Sequence, residues 1–325
     1  MEQKLQIIAE KLQTPCLDLS LLQGRIGIIL FFFHYAKFSD RVHGEKYANK
    51  LLSEVIEDIQ KISYSGQNNI LADVGAGIEY LVQQQFVRGN TNVILEDFDE
   101  HINRIVFYSS KHSKVLKDIT CYGKYYAARL NNPNNRMKTN SSIEPIKKNL
   151  SLIISSLPCF TIEDIFSIIH FLPNVINLDI ERKKTYHYLN YAVDRLETVV
   201  YENVFFGNYP ENFNPIVAAV LLFRAASKNN NDDYIARALH FLDKYESDFR
   251  QYLSGEQAIK WSFLYHILWK SCNRDIYQRL SIQWFENCEL EKMDLNFESL
   301  IKAGMMLLTM NESINDDWLD LFPLY

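Results

Sequence analysis

The chain has 325 residues, of which 47% are hydrophobic and 13% aromatic, so it carries ample apolar side chains for a large core. Its formal net charge is −6 and no basic stripe is visible, which disfavours nucleic-acid binding. The longest uncharged apolar run, Ile26 to Phe33, is far shorter than the roughly 20 residues that a membrane-spanning helix needs, so no membrane partner is expected.

The first predicted element is a short amphipathic helix over residues 1–12, which ends near Pro15. Both charge signs occur in it, so it does not read as a signal peptide. Scattered cysteines in odd number are typical of core thiols in a reducing compartment. The sequence has five: Cys16, Cys121, Cys159, Cys272 and Cys288. We therefore expect a cytoplasmic protein.

A phrase of small residues followed by aliphatic and aromatic ones recurs along the chain. It is clearest in Gly24–Phe33 and returns in residues 71–81 and 119–130, with weaker copies further on. Seven equivalent anchors follow one another at steps of 43 to 48 residues: Gly27, Asp73, Cys121, Ser167, Pro215, Ala258 and Lys302. A period in this range indicates an array of helical hairpins.

Each apolar phrase predicts a helix that is buried on most sides, because it contains few charges. Gly24 and Gly27 lie three apart, on one helical face, where missing side chains let another backbone approach. Amphipathic segments lie between the phrases; residues 46–62 place Leu51, Val55, Ile59 and Ile62 on one stripe, with charge opposite. The other amphipathic segments are residues 91–107, 142–157, 182–200, 232–250 and 275–290.

The predicted fold class is all-α, and the predicted architecture is an α/α toroid. It is a double ring of about seven inner and seven outer helices, in which residues 1–325 form a single domain of seven helical-hairpin repeats. Inner helices this apolar favour closure, because an open solenoid would leave a concave apolar face in water. The sequence gives little support for β-strands, because no Asn-Gly or Asp-Gly turn lies between segments in which polar and apolar residues alternate. Residues 131–136 and 229–233 are expected to be surface loops.

The glycine-containing phrases resemble the inner helices of the lanthionine synthetase C-like family, the cyclases of lanthipeptide biosynthesis. The similarity is strongest over residues 21–130, in the stretches 21–28, 75–81 and 123–130, and residues 307–310 and 318–322 near the chain end are similar too. The resemblance covers essentially the whole chain and implies the same toroid. It also implies an activity in which zinc holds a substrate cysteine as the thiolate that adds to a dehydrated residue.

The zinc ligands that the resemblance implies are missing. The family holds zinc with a cysteine before the fifth inner helix and with a Cys-His pair that opens the sixth. Here residues 206–214 contain neither cysteine nor histidine, and Leu253 and Ser254 stand in place of the pair. Leucine cannot bind zinc, and serine is a poor substitute for a soft ligand. We therefore expect no zinc cofactor and a pseudoenzyme with the family's fold.

The expected partner is a peptide or a peptide-maturation enzyme in modified-peptide biosynthesis. Acidic residues near the starts of inner helices gather at one mouth of a toroid, where they either receive a peptide or cap the helices. The predicted peptide-binding residues are Asp73, Cys121, Tyr122, Tyr209, Asn212 and Glu256. Tyr209 is the strongest candidate, because it lies in the loop that holds a zinc ligand in the family.

Two other hypotheses remain open. The first is an enzyme of carbohydrate type in the same cavity, with two carboxylates as acid and base. Its candidate pairs are Glu79 with Asp73, and Glu163 with Glu256. The second is a true cyclase with unfamiliar zinc ligands. The histidines on inner helices, His34, His170 and His266, are interpreted as core residues rather than ligands.

Overall fold

The structure is a computed structural model that describes most of the chain. The described residues are 1–16, 18–20, 24–39, 42–62, 68–108, 116–132, 143–144, 146–148, 150, 161–205, 213–249, 255–286, 290 and 296–321. At residues 60–62, 68–69, 105–108, 116–120, 204–205, 246–249 and 255–257 the description covers the backbone only.

The described residues are helical, and no strand occurs among them, which confirms the all-α prediction. In chain order the helices are α1 (Glu2–Leu12), α2 (Arg25–Ser39), α3 (Val42–Ile62), α4 (Asn68–Gln83), the short α5 (Thr91–Ile94), α6 (Glu96–Tyr108), α7 (Leu116–Asn131), α8 (Ile162–Asn177), α9 (Arg182–Phe205), α10 (Pro215–Asn229), α11 (Asp232–Phe249), α12 (Gly255–Cys272), α13 (Asp275–Glu286) and α14 (Phe297–Met310). A 3₁₀ helix at Asp316–Asp320 follows.

Apolar and amphipathic helices alternate in the described part of the chain as the sequence predicts, whereas the predicted amphipathic segment 142–157 lies mostly outside the described residues. In α2, every residue from Arg25 to Tyr35 is buried. The following helix, α3, buries Leu51 and Val55 and leaves its charged positions towards solvent. These two helices pack together as a hairpin, and α8 with α9, α10 with α11, and α12 with α13 do the same. We call α2, α4, α7, α8, α10, α12 and α14 the apolar helices. None of the helices in the described part of the chain is both long and apolar enough to cross a membrane.

The chain divides into two compact units. One comprises Met1–Arg88 and Arg250–Phe322, and the other comprises Gly89–Phe249. The first unit therefore combines the two ends of the sequence. The second unit is continuous, and its apolar helices pack in succession, α7 against α8 and α8 against α10.

In the first unit the last apolar helix packs against the first. α14 contacts α2 and also α1. Gly304 makes this approach possible, because a Cβ atom at that position would overlap the ring of Phe31 on α2. The segment after α14 is docked as well: Trp318 is fully buried and donates a hydrogen bond from Nε1 to Thr309 Oγ1 at 2.8 Å.

The structure places Gly24 differently from the sequence prediction. α2 begins at Arg25, so Gly24 precedes the helix and does not lie on its face. A Cβ atom on Gly24 would meet the backbone of Ser20 at 2.5 Å and of Asp18 at 2.6 Å. This glycine therefore accommodates the entering chain segment, whereas Gly304 and Gly123 permit close contact between helices. A Cβ atom on Gly123 of α7 would overlap the ring of Phe171 on α8.

Candidate functional site

Polar side chains interrupt the apolar helices at one helical position. Asp73, Cys121, Ser167, Lys260 and Lys302 are each the sixth residue of their helix, and each is partly exposed. Because a helix rises 1.5 Å per residue, these five residues lie about 7.5 Å beyond the first residue of each helix. Four of the five are anchors of the sequence repeat, whereas the other three anchors, Gly27, Pro215 and Ala258, are the third, first and fourth residues of their helices. We call these five residues the polar level.

The polar level is distributed over both units. Asp73, Lys260 and Lys302 belong to the first unit, and Cys121 and Ser167 belong to the second. The helices that carry them are otherwise well buried at this depth: Ala72 and Val74 flank Asp73, and Ile259 and Trp261 flank Lys260, all at 3% exposure or less. A polar group that stays partly accessible within such a helix is available for contact with a ligand.

Lys302 and Glu298 form an ion pair on α14. Lys302 Nζ lies 2.7 Å from Glu298 Oε1, and the two side chains are 18% and 25% exposed. Lys260, on the neighbouring α12, makes no hydrogen bond or ion pair with any residue that the structure describes. Burial and the Lys302 ammonium lower the pKa of Lys260, while Glu298 acts in the opposite direction, and the result is a pKa of about 8.

Capping accounts for only part of the acidic residues near helix starts. Thr161 and Asp164 form a capping box on α8, with Thr161 N 3.0 Å from Asp164 Oδ2 and Asp164 N 3.2 Å from Thr161 Oγ1. Asn214 and Asn296, which are amides, cap α10 and α14. Asp73 lies in the second turn of α4, beyond the first-turn N–H groups that a cap satisfies. Asp73 therefore lies outside the capping positions of α4.

The structure describes the side chains of two of the other predicted peptide-binding residues. Cys121 and Tyr122 are neighbours on α7; the thiol-bearing residue is partly exposed, whereas Tyr122 is only 4% exposed and packs in the core of its unit. Glu256 lies in the first turn of α12, and its side chain is outside the described residues. Tyr209 and Asn212 also lie outside them. The roles of all six residues in peptide binding stay predictions.

A buried charged network joins α6 and α7 in the second unit. Arg129 Nη2 donates to Asp99 Oδ2 at 2.7 Å, and Arg129 Nε donates to Asp99 Oδ1 at 3.2 Å. Tyr125 Oη donates to the same Oδ1 at 2.6 Å. Burial and the nearby Asp99 carboxylate raise the pKa of Tyr125 well above its ordinary value. All three residues are at most 5% exposed, so this network holds two helices together and offers no surface to a ligand.

A second buried polar pair connects α2 and α4. His34 Nε2 and Tyr80 Oη are 2.9 Å apart, and His34 Nδ1 has no hydrogen-bond partner among the residues that the structure describes. Burial, with a smaller effect of Lys37, lowers the pKa of His34 to about 4, so the imidazole is neutral at pH 7. Burial also raises the pKa of Tyr80. The pair behaves as a neutral core contact, in line with the interpretation of the inner-helix histidines.

The carboxylate pairs of the carbohydrate hypothesis gain no support from the described side chains. Glu79 is fully buried and accepts a hydrogen bond from Gln83 Nε2 at 3.1 Å, whereas Asp73 is partly exposed. The two residues are six positions apart on one helix, which directs their side chains to different faces. Of the other pair, Glu163 is exposed at the start of α8.

The sequence repeat does not point to Lys260, because its sixth anchor, Ala258, lies two residues earlier in the chain. The signal was present, because Lys260 is a single charged residue between Ile259 and Trp261 in an otherwise apolar stretch. A charge in such a position is costly unless it is compensated, which makes it worth explaining.

Among the residues that the structure describes, no group of three or more His, Cys, Asp or Glu side chains could hold a metal ion. The stretch before α10 and the residues Leu253 and Ser254, where the resemblance implies zinc ligands, fall mostly outside the described range. The sequence of these stretches does not fit a zinc site, since they lack cysteine and histidine.

No protein-family model matches the chain, and no curated protein is significantly similar to it in sequence.

Proposed function

We propose that the chain is an α/α toroid of the lanthionine synthetase C-like type that binds a peptide without zinc. In this proposal the apolar helices are the inner helices, and their amino-terminal halves surround one mouth of the ring. Two observations support closure: amphipathic and apolar helices alternate, and the last apolar helix packs against the first. A peptide segment or a peptide-maturation enzyme is the proposed partner, in modified-peptide biosynthesis.

The polar level is the observation that carries the binding proposal. Five apolar helices each present a partly exposed polar residue at the same helical position. Core packing alone would favour apolar side chains there, because burying a polar group costs free energy unless it is hydrogen-bonded or paired. Hydrogen-bonding and charged groups at one depth suit the backbone and side chains of an extended peptide.

A cytoplasmic location belongs to the same proposal. Cys16, Cys121 and Cys272 carry thiols that form no disulfide. Three thiols of this kind fit a reducing compartment.

Calorimetric titration with precursor peptides encoded near the chain's gene tests the binding proposal. We expect binding by at least one peptide in the micromolar range, and an affinity at least about tenfold lower for Asp73→Ala, which corresponds to 1.4 kcal/mol. Asp233→Ala, at an exposed position on α11, is the matched control and should bind as the wild type does. Folded protein that binds none of these peptides would contradict the proposal.

Elemental analysis of the purified protein tests the zinc-free part of the proposal separately. We expect zinc far below one equivalent per chain, because the sequence lacks the cysteine and histidine ligands at the implied positions. One tightly held equivalent would instead favour a true cyclase with unfamiliar ligands. A chelator-treated sample provides the baseline for this comparison.

A further inference from the structure

Two lysines lie at equivalent positions on neighbouring helices of the first unit. α12 packs against α14, and Lys260 and Lys302 are the sixth residues of these two helices. Lys302 already has a partner, since Glu298 lies 2.7 Å from its ammonium group. Lys260 lies close enough to both to interact with them electrostatically. The cluster thus holds two ammonium groups and one carboxylate.

The positive charge of this cluster is not balanced within the described part of the chain. Lys260 makes no hydrogen bond or ion pair there, although Ile259 and Trp261 on either side are buried. A lysine whose pKa is about 8 is still mostly protonated at pH 7. The amino-terminal half of α12 therefore carries a partly buried cation that has no hydrogen-bond or ion-pair partner among the described residues, with Glu298 as its one nearby carboxylate there.

We propose that Lys260 and Lys302 together bind an oxyanion from a ligand, a carboxylate or phosphate group that is brought from outside the chain. Two ammonium groups can both donate charge-assisted hydrogen bonds to one oxyanion, and partial burial strengthens such bonds relative to those in water. The lysine cluster itself does not depend on the proposed function. Only the choice of an acidic peptide as the source of the carboxylate rests on it.

Glu298 has a defined part in this site. Its carboxylate occupies Lys302 in the absence of a ligand and competes with an incoming oxyanion for the same ammonium group. Removing the charge of Glu298 leaves both lysines available, which strengthens oxyanion binding. Removing the charge of Lys260 takes away the ammonium group that has no ion-pair partner among the described residues, and this weakens oxyanion binding. The two substitutions therefore shift the affinity in opposite directions.

Titration calorimetry at pH 7 and low salt, with hexaglutamate and with inorganic phosphate as probes, tests the proposal. Wild type, Lys260→Met, Glu298→Gln and Lys46→Met are compared, the last being an exposed lysine on α3 of the same unit. We expect Lys260→Met to weaken binding at least about tenfold, Glu298→Gln to strengthen it about three- to tenfold, and Lys46→Met to leave it unchanged. Circular dichroism verifies that each variant is folded.

The two probes distinguish the sources of the oxyanion. Tighter binding of hexaglutamate than of phosphate identifies peptide carboxylates, whereas equal or tighter binding of phosphate identifies a small free oxyanion. The proposal is overturned if the wild type binds neither probe, or if Lys260→Met binds both as the wild type does. If Lys260→Met does not fold, Glu298→Gln decides, because unchanged affinity in that variant also overturns the proposal. Phosphate binding does not depend on any precursor peptide, so failure here is separable from failure of the proposed function.

Discussion

At the scale of single residues, Lys260 and His34 show how burial acts on ionisable groups in this protein. Both lie on apolar helices, and burial lowers the pKa of both, to about 8 for Lys260 and to about 4 for His34. His34 is neutral at pH 7 and has Tyr80 as a partner. Lys260 is mostly charged at pH 7 and makes no pair among the described residues. His34 therefore destabilises the fold only at acidic pH, whereas Lys260 destabilises it at neutral pH.

Replacing Lys260 with methionine is expected to raise the free energy of unfolding at pH 7 by about 1–3 kcal/mol. The pKa in the folded state lies below the ordinary value of 10.5, so the unfolded chain binds more protons between about pH 8 and 10.5. Wild-type stability should therefore rise through that window relative to the variant. Urea denaturation at pH 7 and 9.5 measures both effects. A variant no more stable than Lys46→Met at pH 7 would contradict this account.

His34→Gln tests the acid side. The pKa of His34 is about 4 in the folded state and about 6.5 in the unfolded state. As the pH falls from 6.5 to 4, the imidazole is therefore protonated in the unfolded chain but stays neutral in the folded chain. Wild type should lose about 2 kcal/mol more stability than the variant between pH 7 and pH 5. Denaturation curves at the two pH values give the difference. Parallel losses in both proteins would show that His34 does not titrate as stated.

The residue-level pattern was only partly predictable from the sequence. Asp73, Cys121, Ser167 and Lys302 were found as repeat anchors, because a repeat places equivalent residues at equivalent helical positions. Lys260 is not among these anchors, because the best alignment of the sixth repeat places its anchor at Ala258, two residues earlier. The burial of Tyr122 was not predictable either, since an aromatic residue at this spacing suits a core and a binding surface alike.

At the scale of helices and helix pairs, two kinds of contact connect the helices: close packing at a glycine and a buried charge network. Gly304 lets α14 approach α2, and Asp99 with Arg129 connects α6 to α7. The hairpins themselves were predictable from alternating apolar and amphipathic segments. The break at Leu95, which separates α5 from α6, was not, because residues 91–107 carry one continuous amphipathic pattern.

Arg129→Met is expected to lower the free energy of unfolding by about 3–5 kcal/mol, because it leaves the buried Asp99 carboxylate without its guanidinium partner. The matched control is Arg104→Met, which breaks an exposed pair with Glu100 on α6. That change should cost less than about 1 kcal/mol. Thermal or urea unfolding of both variants gives the comparison. Equal costs would show that burial of the Asp99–Arg129 pair does not set its contribution.

Gly304→Ala is expected to lower the free energy of unfolding by about 1–3 kcal/mol, since the added methyl group would displace the buried Phe31 ring. Gly44→Ala on α3 is the control, because its Cβ atom would be 3.4 Å from Ala36 Cβ, an ordinary contact. Alanine also has the better helix propensity, so the control should be neutral or slightly stabilised. A Gly304 variant that is stabilised as well would refute close packing of α14 on α2.

At the scale of the whole molecule, the described residues form helical hairpins, and the ring that we propose is built from these hairpins. The sequence period predicted the all-helical class and the alternation of apolar and amphipathic helices seen in the described residues, since each hairpin must bury one apolar face. It could not settle closure, which depends on rotations between neighbouring hairpins that no periodicity encodes. The contact of α14 with α2 joins the two ends of the sequence within the first unit. We propose that the hairpins between them complete the ring and bring the five residues of the polar level to one mouth.

Hydrogen-exchange mass spectrometry, with and without a saturating precursor peptide, tests this central claim most directly. The account predicts that the peptide slows amide exchange in the amino-terminal halves of α4, α7, α8, α12 and α14 together, while the amphipathic helices α9 and α11 exchange as before. Protection restricted to the helices of one unit, protection of the amphipathic helices instead, or no change at saturation would contradict it.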